Sequence, residues 1–598
     1  MKKAILTLFC AMTGMSSMAQ QLAFPEAEGY GKNASGGRGG NVYYVTRNDD
    51  CTDDNLVEGT LRWALRTGDD TPRTILFKTC GTIYLTSQLK FAHPNVTIAG
   101  QTAPGGGICI AGYKVYVCKP NVILRHLRFR AGDYASKSMP SLDVENTNNV
   151  IIDHCSFTWS MEECLTMYDC DSTTVQYCII GEGLYNSRNS KGARAYATQW
   201  GGEHSTMHHC LITNCNNRTP RFNGVRDNSN NPGDHDQFVD SEFFNNVIFN
   251  WGKPNSVYGG ECDATINSGN SYNKVYMRGN FFRPGPATLQ NVKSNRYFVE
   301  ASTQNGMGQW FLDGNKFDVS SPFTPTTAVW AENVLSQIEE DNYYGISTGN
   351  AGRTINVKAG TNADFLLNNV LSSQEQSSGL LAESADEAFS KVVSSAGASL
   401  PRYDEVDIRL LDEASGNINP QYAGYEASGL LSRAMGIINS PSDITLARHD
   451  VFIAVRESDT GEKQNVEATE WPYLGLEDGE KGFTDTDSDG LPDAYEEEIG
   501  LDPTNPLDGA NIGVDGYSNL ELFLNGVADG SIDKAKYEDK DISSIPSVLP
   551  DTSDAVHETV YGVNGAIIQG LKSGIGIVRQ TTSDGRTRVN KVLMSPRR

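Results

Sequence analysis

The chain has 598 residues, of which 38% are hydrophobic and 21% are charged, and this composition excludes an intrinsically disordered protein. Its 74 acidic and 49 basic residues give a formal net charge of −25. That charge excludes a general nucleic-acid-binding function, because affinity for nucleic acid depends on neutralising phosphates with Lys and Arg. An anionic substrate would need a locally basic surface or a bridging metal ion.

The first twenty residues are typical of an export signal. Lys2 and Lys3 precede a mostly apolar segment over residues 4–12, and Ser17-Met18-Ala19 supplies small side chains before a cleavage site. This segment is too short to span a membrane, which takes roughly 20 apolar residues, and no later stretch is long enough. We therefore predict a secreted protein without a membrane span, located outside the cell, on its surface or in the periplasm.

Short strand-like runs separated by turns rich in Gly, Asn and Asp dominate the chain before residue 360. The runs that begin at Asn95, Asn121 and Asn149 follow one another at steps of 26 and 28 residues. Repeats of this size indicate the coils of a parallel β-helix, in which each coil buries its inner face against its neighbours. A sandwich or a propeller fits these steps less well.

A second pattern places small side chains at one position of successive repeats. Cys155, Cys178, Cys210, Asn246 and Asn280 follow one another at steps of 23, 32, 36 and 34 residues. A zinc site is the functional alternative, but the paired ligand spacing of zinc sites is missing. We predict that these residues stack inside the solenoid.

Seven motifs give the chain its resemblance to a known family. In chain order they are Gly59-Thr-Leu-Arg-Trp-Ala-Leu, Thr74-Ile-Leu-Phe, Gly81-Thr-Ile-Tyr-Leu, Val96-Thr-Ile-Ala-Gly-Gln-Thr-Ala-Pro-Gly-Gly-Gly-Ile, Val150-Ile-Ile-Asp-His, Asn217-Arg-Thr-Pro-Arg-Phe and Asn245-Asn-Val-Ile-Phe-Asn-Trp-Gly. Together they resemble pectate lyases of polysaccharide lyase family 1, in its secreted bacterial type, over roughly residues 24–286.

The resemblance implies an all-β, right-handed parallel β-helix that acts as a monomer on polygalacturonate. It further implies calcium-assisted β-elimination, which gives unsaturated oligogalacturonides. Removing the C5 proton of a galacturonate unit builds negative charge beside a carboxylate, so a cation must neutralise that charge. Calcium, a hard cation that binds carboxylate oxygens, suits this role and would bridge an acidic protein to a polyanion.

The resemblance implies Asp143, Glu162 and Glu163 as ligands of the catalytic calcium. Asp143 lies six residues before Asn149, where the family carries a calcium-binding Asp, and Glu162 occupies a position where the family usually has an Asp. Successive strand residues face opposite sides, so we expect only one of the two glutamates to point into a groove. Solvated acids on a turn are the structural alternative. Asp153 and His154 belong to the motif set and are interpreted as structural.

Arg218 is the candidate catalytic base, because Arg218-Thr219-Pro220 matches the family's Arg-x-Pro motif. A guanidinium is almost always protonated, so Arg218 could instead stabilise the carbanion while hydroxide or a neighbouring group takes the proton. Arg221 is expected to pair with a substrate carboxylate through two parallel hydrogen bonds.

Two basic positions of the family are missing from this chain. Asn223 stands where the family often has an Arg, and Gly202 or Glu203 stands where it has a Lys. Three basic residues of the preceding loop are candidates to replace them as substrate ligands: Arg188, Lys191 and Arg194.

Two other functions remain open at this stage. A pectin hydrolase would use two or three carboxylates around the scissile bond, and Asp143, Asp153 and Glu162 are available for that role. That function would leave the Arg-Thr-Pro-Arg motif unexplained. A non-catalytic pectin-binding solenoid is the second alternative.

A calcium-loop spacing appears near residue 485. Carboxylates stand at loop positions 1, 3, 5, 9 and 12, with Gly490 at position 6: Asp485, Asp487, Asp489, Asp493 and Glu496. The segment resembles bacterial thrombospondin type 3-like repeats and predicts a structural calcium separate from the catalytic one.

The sequence predicts five segments. They are a signal peptide over 1–20, a β-helix with a capping segment over 21–470, the calcium-binding repeat over 480–530, a linker over 533–558 and a tail over 559–598. Within the capping segment, Ser384 to Ser395 is predicted to be helical. The tail contains short predicted strands and resembles C-terminal sorting domains of Bacteroidetes-type secretion systems, which implies a contact with secretion machinery.

Overall fold

The computed structural model describes most of the chain. The described residues are 20–223, 238–252, 256–261, 272–289, 299–302, 308–318, 320–321, 337–350, 353–356, 369–417, 436–477, 479–539, 555–562, 574–582 and 587–594. For 347–350, 353–356 and the last three of these ranges, only the backbone is described. The predicted signal peptide lies outside the described residues. No helix in the described part is long and apolar enough to cross a membrane.

In the described residues, the main body contains 26 parallel strands and one antiparallel strand. In chain order they are β1 (Asn41–Val45), β2 (Arg73–Phe77), β3 (Gly81–Tyr84), β4 (Leu89–Lys90), β5 (Val96–Ala99), β6 (Ile108–Ala111), β7 (Val115–Val117), β8 (Val122–Arg125), β9 (Arg128–Arg130), β10 (Leu142–Asp153), β11 (Ser156–Phe157), β12 (Glu163–Gln176), β13 (Ile179–Gly181), β14 (Tyr196–Trp200), β15 (His204–His208), β16 (Leu211–Thr213), β17 (Arg221–Phe222), β18 (Phe238–Phe244), β19 (Val247–Phe249), β20 (Val257–Gly259), β21 (Tyr272–Arg278), β22 (Phe281–Arg283), β23 (Val299–Ser302), β24 (Gln309–Asp313), β25 (Lys316–Phe317), β26 (Ile346–Asn350) and the antiparallel β27 (Arg353–Asn356).

These strands form three parallel ladders, to which each coil contributes in turn. The first ladder runs β4–β7–β10–β12–β14–β17–β20–β23–β26. The second runs β1–β2–β5–β8–β10–β12–β15–β18–β21–β24, so the long strands β10 and β12 belong to both. The third runs β3–β6–β9–β11–β13–β16–β19–β22–β25. The predicted all-β parallel β-helix is confirmed.

The repeated small side chains form a hydrogen-bonded stack inside the β-helix. Each backbone N–H donates to the side chain one coil further on: Cys155 to Cys178 Sγ at 3.4 Å, Cys178 to Cys210 Sγ at 3.5 Å, Cys210 to Asn246 Oδ1 at 3.0 Å and Asn246 to Asn280 Oδ1 at 2.9 Å. Asn315 and Asn342 extend the stack beyond the predicted positions. The three cysteines are buried and form no disulfide, and the predicted stack of small side chains is present.

Helices cover the outer face of the third ladder. The short α1 (Leu61–Arg66) and α2 (Pro286–Leu289) lie between strands, and α3 (Ala385–Ser395) and α4 (Glu405–Ser415) pack against the third ladder together with the hairpin β28 (Phe452–Glu457) and β29 (Lys463–Ala468). The helix predicted over Ser384 to Ser395 is present as α3, and Ser384 is its N-terminal cap. At the start of α4, buried Asp404 accepts hydrogen bonds from Arg130 of β9, at 2.7 Å for Nη1. The predicted capping segment therefore lies along the side of the solenoid.

The segment that was predicted to be a calcium-binding repeat forms a small helical unit against the first coils. Its helices α5 (Asp493–Ile499) and α6 (Asn519–Asp529) and the 3₁₀ helix Lys534–Tyr537 share an apolar cluster with Leu76 of β2. Tyr537 is buried at 5.3 Å from the ring of Tyr495, so the predicted linker start at 533 is too early. Residues 540–554 lie outside the described part.

The tail forms a three-stranded antiparallel sheet. Its strands are β30 (Ala555–Gly562), β31 (Gly574–Thr582) and β32 (Thr587–Met594). The predicted short strands are therefore present, and β30 begins inside the segment that was predicted to be a linker.

Candidate active site and metal-binding loop

One row of side chains projects outward along the first ladder. Its members occupy paired positions on eight successive strands: Lys90, Tyr116, Asp143, Thr166, Gln199, Arg221, Tyr258 and Glu300. Residues beside them in the sequence, such as Leu89, Leu142 and Phe222, are in the apolar core, and strand alternation turns the row outward. With strands about 4.8 Å apart, the row is roughly 34 Å long. We call it the outward row.

Arg218 lies beside the middle of the outward row. Its guanidinium Nη1 donates to Gln199 Oε1 at 2.9 Å and to Glu163 Oε1 through a short contact. The ring of Tyr196 lies 4.3 Å from the guanidinium carbon. The backbone of Arg218 has φ of +60°, a left-handed conformation that is uncommon outside glycine. Glu163 of β12 and two residues of β14, Tyr196 and Gln199, therefore hold this side chain in place.

The three predicted calcium ligands are each paired with a basic side chain. Asp143 Oδ2 accepts from Lys114 Nζ at 2.5 Å, and Glu162 Oε1 accepts from Lys191 Nζ at 3.0 Å. Arg194 Nε lies 3.5 Å from the other oxygen of Glu162. Glu163 contacts Arg218 as described above. Because β12 begins at Glu163, Glu162 precedes the strand, and the alternation expected of two strand residues does not apply to this pair.

These three carboxylates do not gather around one point. Among the described residues, two groups of three or more metal-ligating side chains have their ligand atoms within 4.8 Å of one another, and neither contains Asp143, Glu162 or Glu163. Their carboxylate oxygens are suitable calcium ligands, but lysine or arginine contacts each of the three. Calcium would have to replace these basic partners.

The predicted substrate ligands lie in different surroundings. Arg221 belongs to the outward row, where its Nη2 contacts Glu261 and its guanidinium lies 5.8 Å from the ring of Tyr258. Lys191 contacts Glu162 beside the site. Arg188 instead donates to Glu457 O at 2.5 Å and to Asp459 at 3.0 Å on the hairpin β28–β29, so the structure does not bring it to the outward row.

Sequence reasoning missed four residues of this surface. Lys114 and Gln199 contact a predicted site residue, Tyr196 packs under Arg218, and Glu261 pairs with Arg221. Gln199 stands beside the buried Trp200 on β14, so strand alternation was a signal for its outward position, but it was no signal for Tyr196, which stands three residues away. Burial raises the pKa of Tyr196, which keeps its hydroxyl protonated.

Asp153 and His154 lie at the other end of β10, in the second ladder. Asp153 is buried and bonds to Arg125 at 2.8 Å, His154 at 2.8 Å and Gln176 at 2.9 Å. Burial raises the pKa of Asp153, but the charges of His154 and Arg125 outweigh burial and hold that pKa far below its usual value. Asp153 is thus a structural ion-pair partner, and it is separated from Asp143 by most of a twelve-residue strand. That separation weighs against a hydrolytic carboxylate set.

The loop near residue 485 brings four carboxylates together. Ligand atoms of Asp487, Asp489, Glu496 and Asp508 lie within 4.8 Å of one another. Glu496 is fully buried, and neither of its oxygens has a hydrogen-bond partner among the described residues. Burial and the neighbouring negative charges raise the pKa of Glu496 to about 8. Carboxylates crowded in this way fit a calcium ion.

The four carboxylates whose oxygens lie together differ from the predicted set, which contains Asp485 and Asp493 and lacks Asp508. Asp493 accepts from the backbone N and the hydroxyl of Thr486, both at 2.7 Å, as an N-terminal helix residue that binds its own loop. Asp485 accepts from Ser488 N at 2.7 Å and from the hydroxyl of Tyr44 on β1. Asp508, from a second loop, belongs to the group of four carboxylates, whereas Asp485 and Asp493 do not. The pattern could not predict Asp508, because it lies outside the twelve-residue motif.

Comparison with known proteins gives a consistent set of relatives. A probable pectate lyase C of Emericella nidulans is 30% identical over 525 residues, which span 87% of this chain and 96% of that protein. A probable pectate lyase C of Aspergillus terreus is 28% identical over 533 residues, or 88% of this chain and 99% of that protein. Jun a 1, the major cedar-pollen allergen, matches 62% of this chain and 93% of its own at 15% identity, with a TM-score of 0.36. No protein-family model matches the chain.

Proposed function

The chain belongs to the pectate lyase family and is a polysaccharide lyase, and from that premise we propose that it cleaves α-1,4-linked polygalacturonate by calcium-assisted β-elimination to unsaturated oligogalacturonides. The observation that carries this proposal is the position of Arg218. Its guanidinium lies on the outward surface of the first ladder, held by Glu163, Gln199 and the ring of Tyr196.

The reaction requires a positive group at the position of the developing charge. The C5–H bond breaks, its electron pair forms a C4–C5 double bond, and the C4–O4 bond breaks, with water protonating the leaving oxygen. Glu163 contacts Arg218 and holds its guanidinium in position. A charged guanidinium stabilises the carbanion, so we assign that role to Arg218 and proton abstraction to hydroxide.

Substrate binding would free the carboxylates that calcium needs. The carboxylates of a polygalacturonate chain are alternative partners for Lys114, Lys191 and Arg194, which now hold Asp143 and Glu162. Asp143 and Glu162 would then hold calcium, which would supply charge neutralisation at the substrate carboxylate, and Glu163 would keep its contact with Arg218. On this proposal, calcium and substrate bind together.

The test is to incubate the purified protein with polygalacturonate, with calcium or with a chelator. We expect ultraviolet absorbance of unsaturated uronides to grow only with calcium, and Arg218→Lys to lower the rate by about a hundredfold or more. Arg448→Lys is the matched control, because Arg448 is exposed and pairs with Glu477. New reducing ends without that absorbance would mean hydrolysis, and no cleavage at all would leave a binding solenoid.

We also propose a structural calcium at Asp487, Asp489, Glu496 and Asp508, separate from the catalytic one. The buried and unpartnered oxygens of Glu496 support it. The export signal over 1–20 and the β-sheet tail support a secreted protein that a secretion system recognises through residues 559–598. Retention of the protein in the cell after deletion of the tail would support that role.

A further inference from the structure

We propose that Lys90 and Lys114, held around the ring of Tyr116, form a distal subsite for a galacturonate carboxylate of the polymer. The inference rests on the proposed function and extends it to a part of the surface that the catalytic residues do not occupy. The subsite lies at the beginning of the outward row, on strands β4 and β7.

The two lysines converge on one aromatic side chain. Lys114 Nζ lies 4.9 Å and Lys90 Nζ 5.5 Å from the centre of the Tyr116 ring. Tyr116 projects outward because its neighbours Val115 and Val117 are in the core. Contact with an aromatic ring restrains a lysine ammonium without neutralising it, so Lys90 remains available to an anion, whereas Lys114 is already paired with Asp143.

Lys90 is the more accessible of the two. Its side chain is exposed and forms no ion pair with any residue in the described part of the chain. Lys114 is partly buried and contacts Asp143, the next member of the outward row. A substrate carboxylate at this point would meet the free ammonium of Lys90 and the ammonium of Lys114, which already contacts the candidate calcium ligand Asp143.

The local charge suits a polyanion, although the whole protein carries a net charge of −25. Lys90, Lys119 and Arg66 lie close enough to Cys118 to oppose the rise in its pKa that burial causes. Asp143 and Glu145 are the acids that face Tyr116; with burial as the largest cause, they raise its pKa to about 12. Lys114 is paired with Asp143, and Arg66 is paired with Asp53 at 3.1 Å. Lys90 and Lys119, which form no ion pair within the described part of the chain, are left to attract a carboxylate.

The position along the row separates this subsite from the catalytic residues. Tyr116 pairs with Asp143, Asp143 with Thr166 and Thr166 with Gln199, the partner of Arg218. Three strand spacings of about 4.8 Å place the subsite roughly 14 Å from Gln199. A carboxylate bound there belongs to a sugar unit remote from the scissile bond, so only long substrates reach it.

The experiment compares the full chain with Lys90→Gln on long polygalacturonate and on trigalacturonate, following unsaturated product. We expect Lys90→Gln to raise KM on the long polymer about three- to fivefold, with kcat unchanged, because it removes one exposed charge contact. On trigalacturonate neither constant should change. Lys536→Gln, which removes an exposed lysine of the 3₁₀ helix Lys534–Tyr537, is the matched control on both substrates.

Two outcomes would overturn the subsite. An unchanged KM on the long polymer would mean that Lys90 is a solvated surface charge, and an equal rise on trigalacturonate would mean a general electrostatic effect. Failure of the proposed function looks different, because the wild-type protein would then form no unsaturated product. In that case, affinity electrophoresis in polygalacturonate still tests the subsite, which requires weaker retention of Lys90→Gln than of Lys536→Gln.

Discussion

At the residue scale, the contacts of Glu163 distinguish two roles for this carboxylate. It contacts Arg218 Nη1, and it shares that atom with Gln199, which lies on the next strand of the first ladder. A side chain held in this way positions the guanidinium. A calcium ligand, in contrast, would have to give up the contact with Arg218.

We predict that Glu163→Gln lowers kcat by up to about a hundredfold and leaves the calcium concentration for half-maximal rate unchanged. Glutamine keeps an oxygen acceptor but removes the charge that holds Arg218. Steady-state kinetics over a calcium titration measure both quantities. Glu162→Gln, one residue away, is the matched comparison, because it removes a proposed calcium ligand and should raise the calcium requirement. A higher calcium requirement for Glu163→Gln would contradict the positioning role and make Glu163 a ligand.

The candidate site residues could be proposed from the sequence, but the side chains that they contact could not be predicted. Arg218, Glu163 and Asp143 stand in motifs that a short window contains. Lys114 contacts Asp143 across 29 residues and Glu163 contacts Arg218 across 55, on different coils. The register between coils decides such contacts, and it cannot be inferred from spacing when coil lengths vary by more than ten residues.

At the element scale, the internal stack sets the register of the coils. The side chain of Asn280 accepts from Asn246 N at 2.9 Å, and its Nδ2 donates to Asn315 Oδ1 at 2.7 Å and to Phe243 O at 2.8 Å. Asn280 is fully buried, so each of these groups would lose its partner in a dry interior if the amide were removed.

We predict that Asn280→Ala lowers the free energy of unfolding of the β-helix by about 3 kcal/mol. The loss comes from backbone and side-chain groups left without hydrogen bonds. Denaturant unfolding measures it, and Asn55→Ala, at an exposed turn, is the control and should change stability by less than about 0.5 kcal/mol. Equal stability of the two variants would mean that the stack contributes little.

The sequence predicts the first part of the internal stack, but it does not predict the position of α4. Small residues at recurring positions predict the stack as far as Asn280, because strand motifs flank each of them. Beyond it, Asn315 and Asn342 stand among weaker motifs. The position of α4 follows from Arg130, whose buried guanidinium bonds to Asp404 across 274 residues. No local pattern encodes such a contact.

At the scale of the whole molecule, the small helical unit of α5, α6 and the 3₁₀ helix Lys534–Tyr537 is attached to the beginning of the β-helix. Glu521 pairs with Arg38 at 2.8 Å, and Lys534 Nζ donates to Ala103 O at 2.7 Å. The hydroxyl of Tyr44 on β1 contacts Asp485, the first residue of the calcium loop. Calcium in this loop would therefore order the unit and its contact with the first coils together.

We predict that Asp508→Asn weakens calcium binding at this loop by about tenfold or more, whereas Asp493→Asn has a small effect. Asp508 belongs to the group around the buried Glu496, and Asp493 binds Thr486 instead. Terbium in place of calcium measures the site directly, since nearby tyrosines such as Tyr44 and Tyr495 can sensitise its luminescence. The two variants form a matched pair, because each replaces one carboxylate of the same unit by its amide. A reversed order of the two effects would mean that the twelve-residue spacing, and not the second loop, defines the ligands.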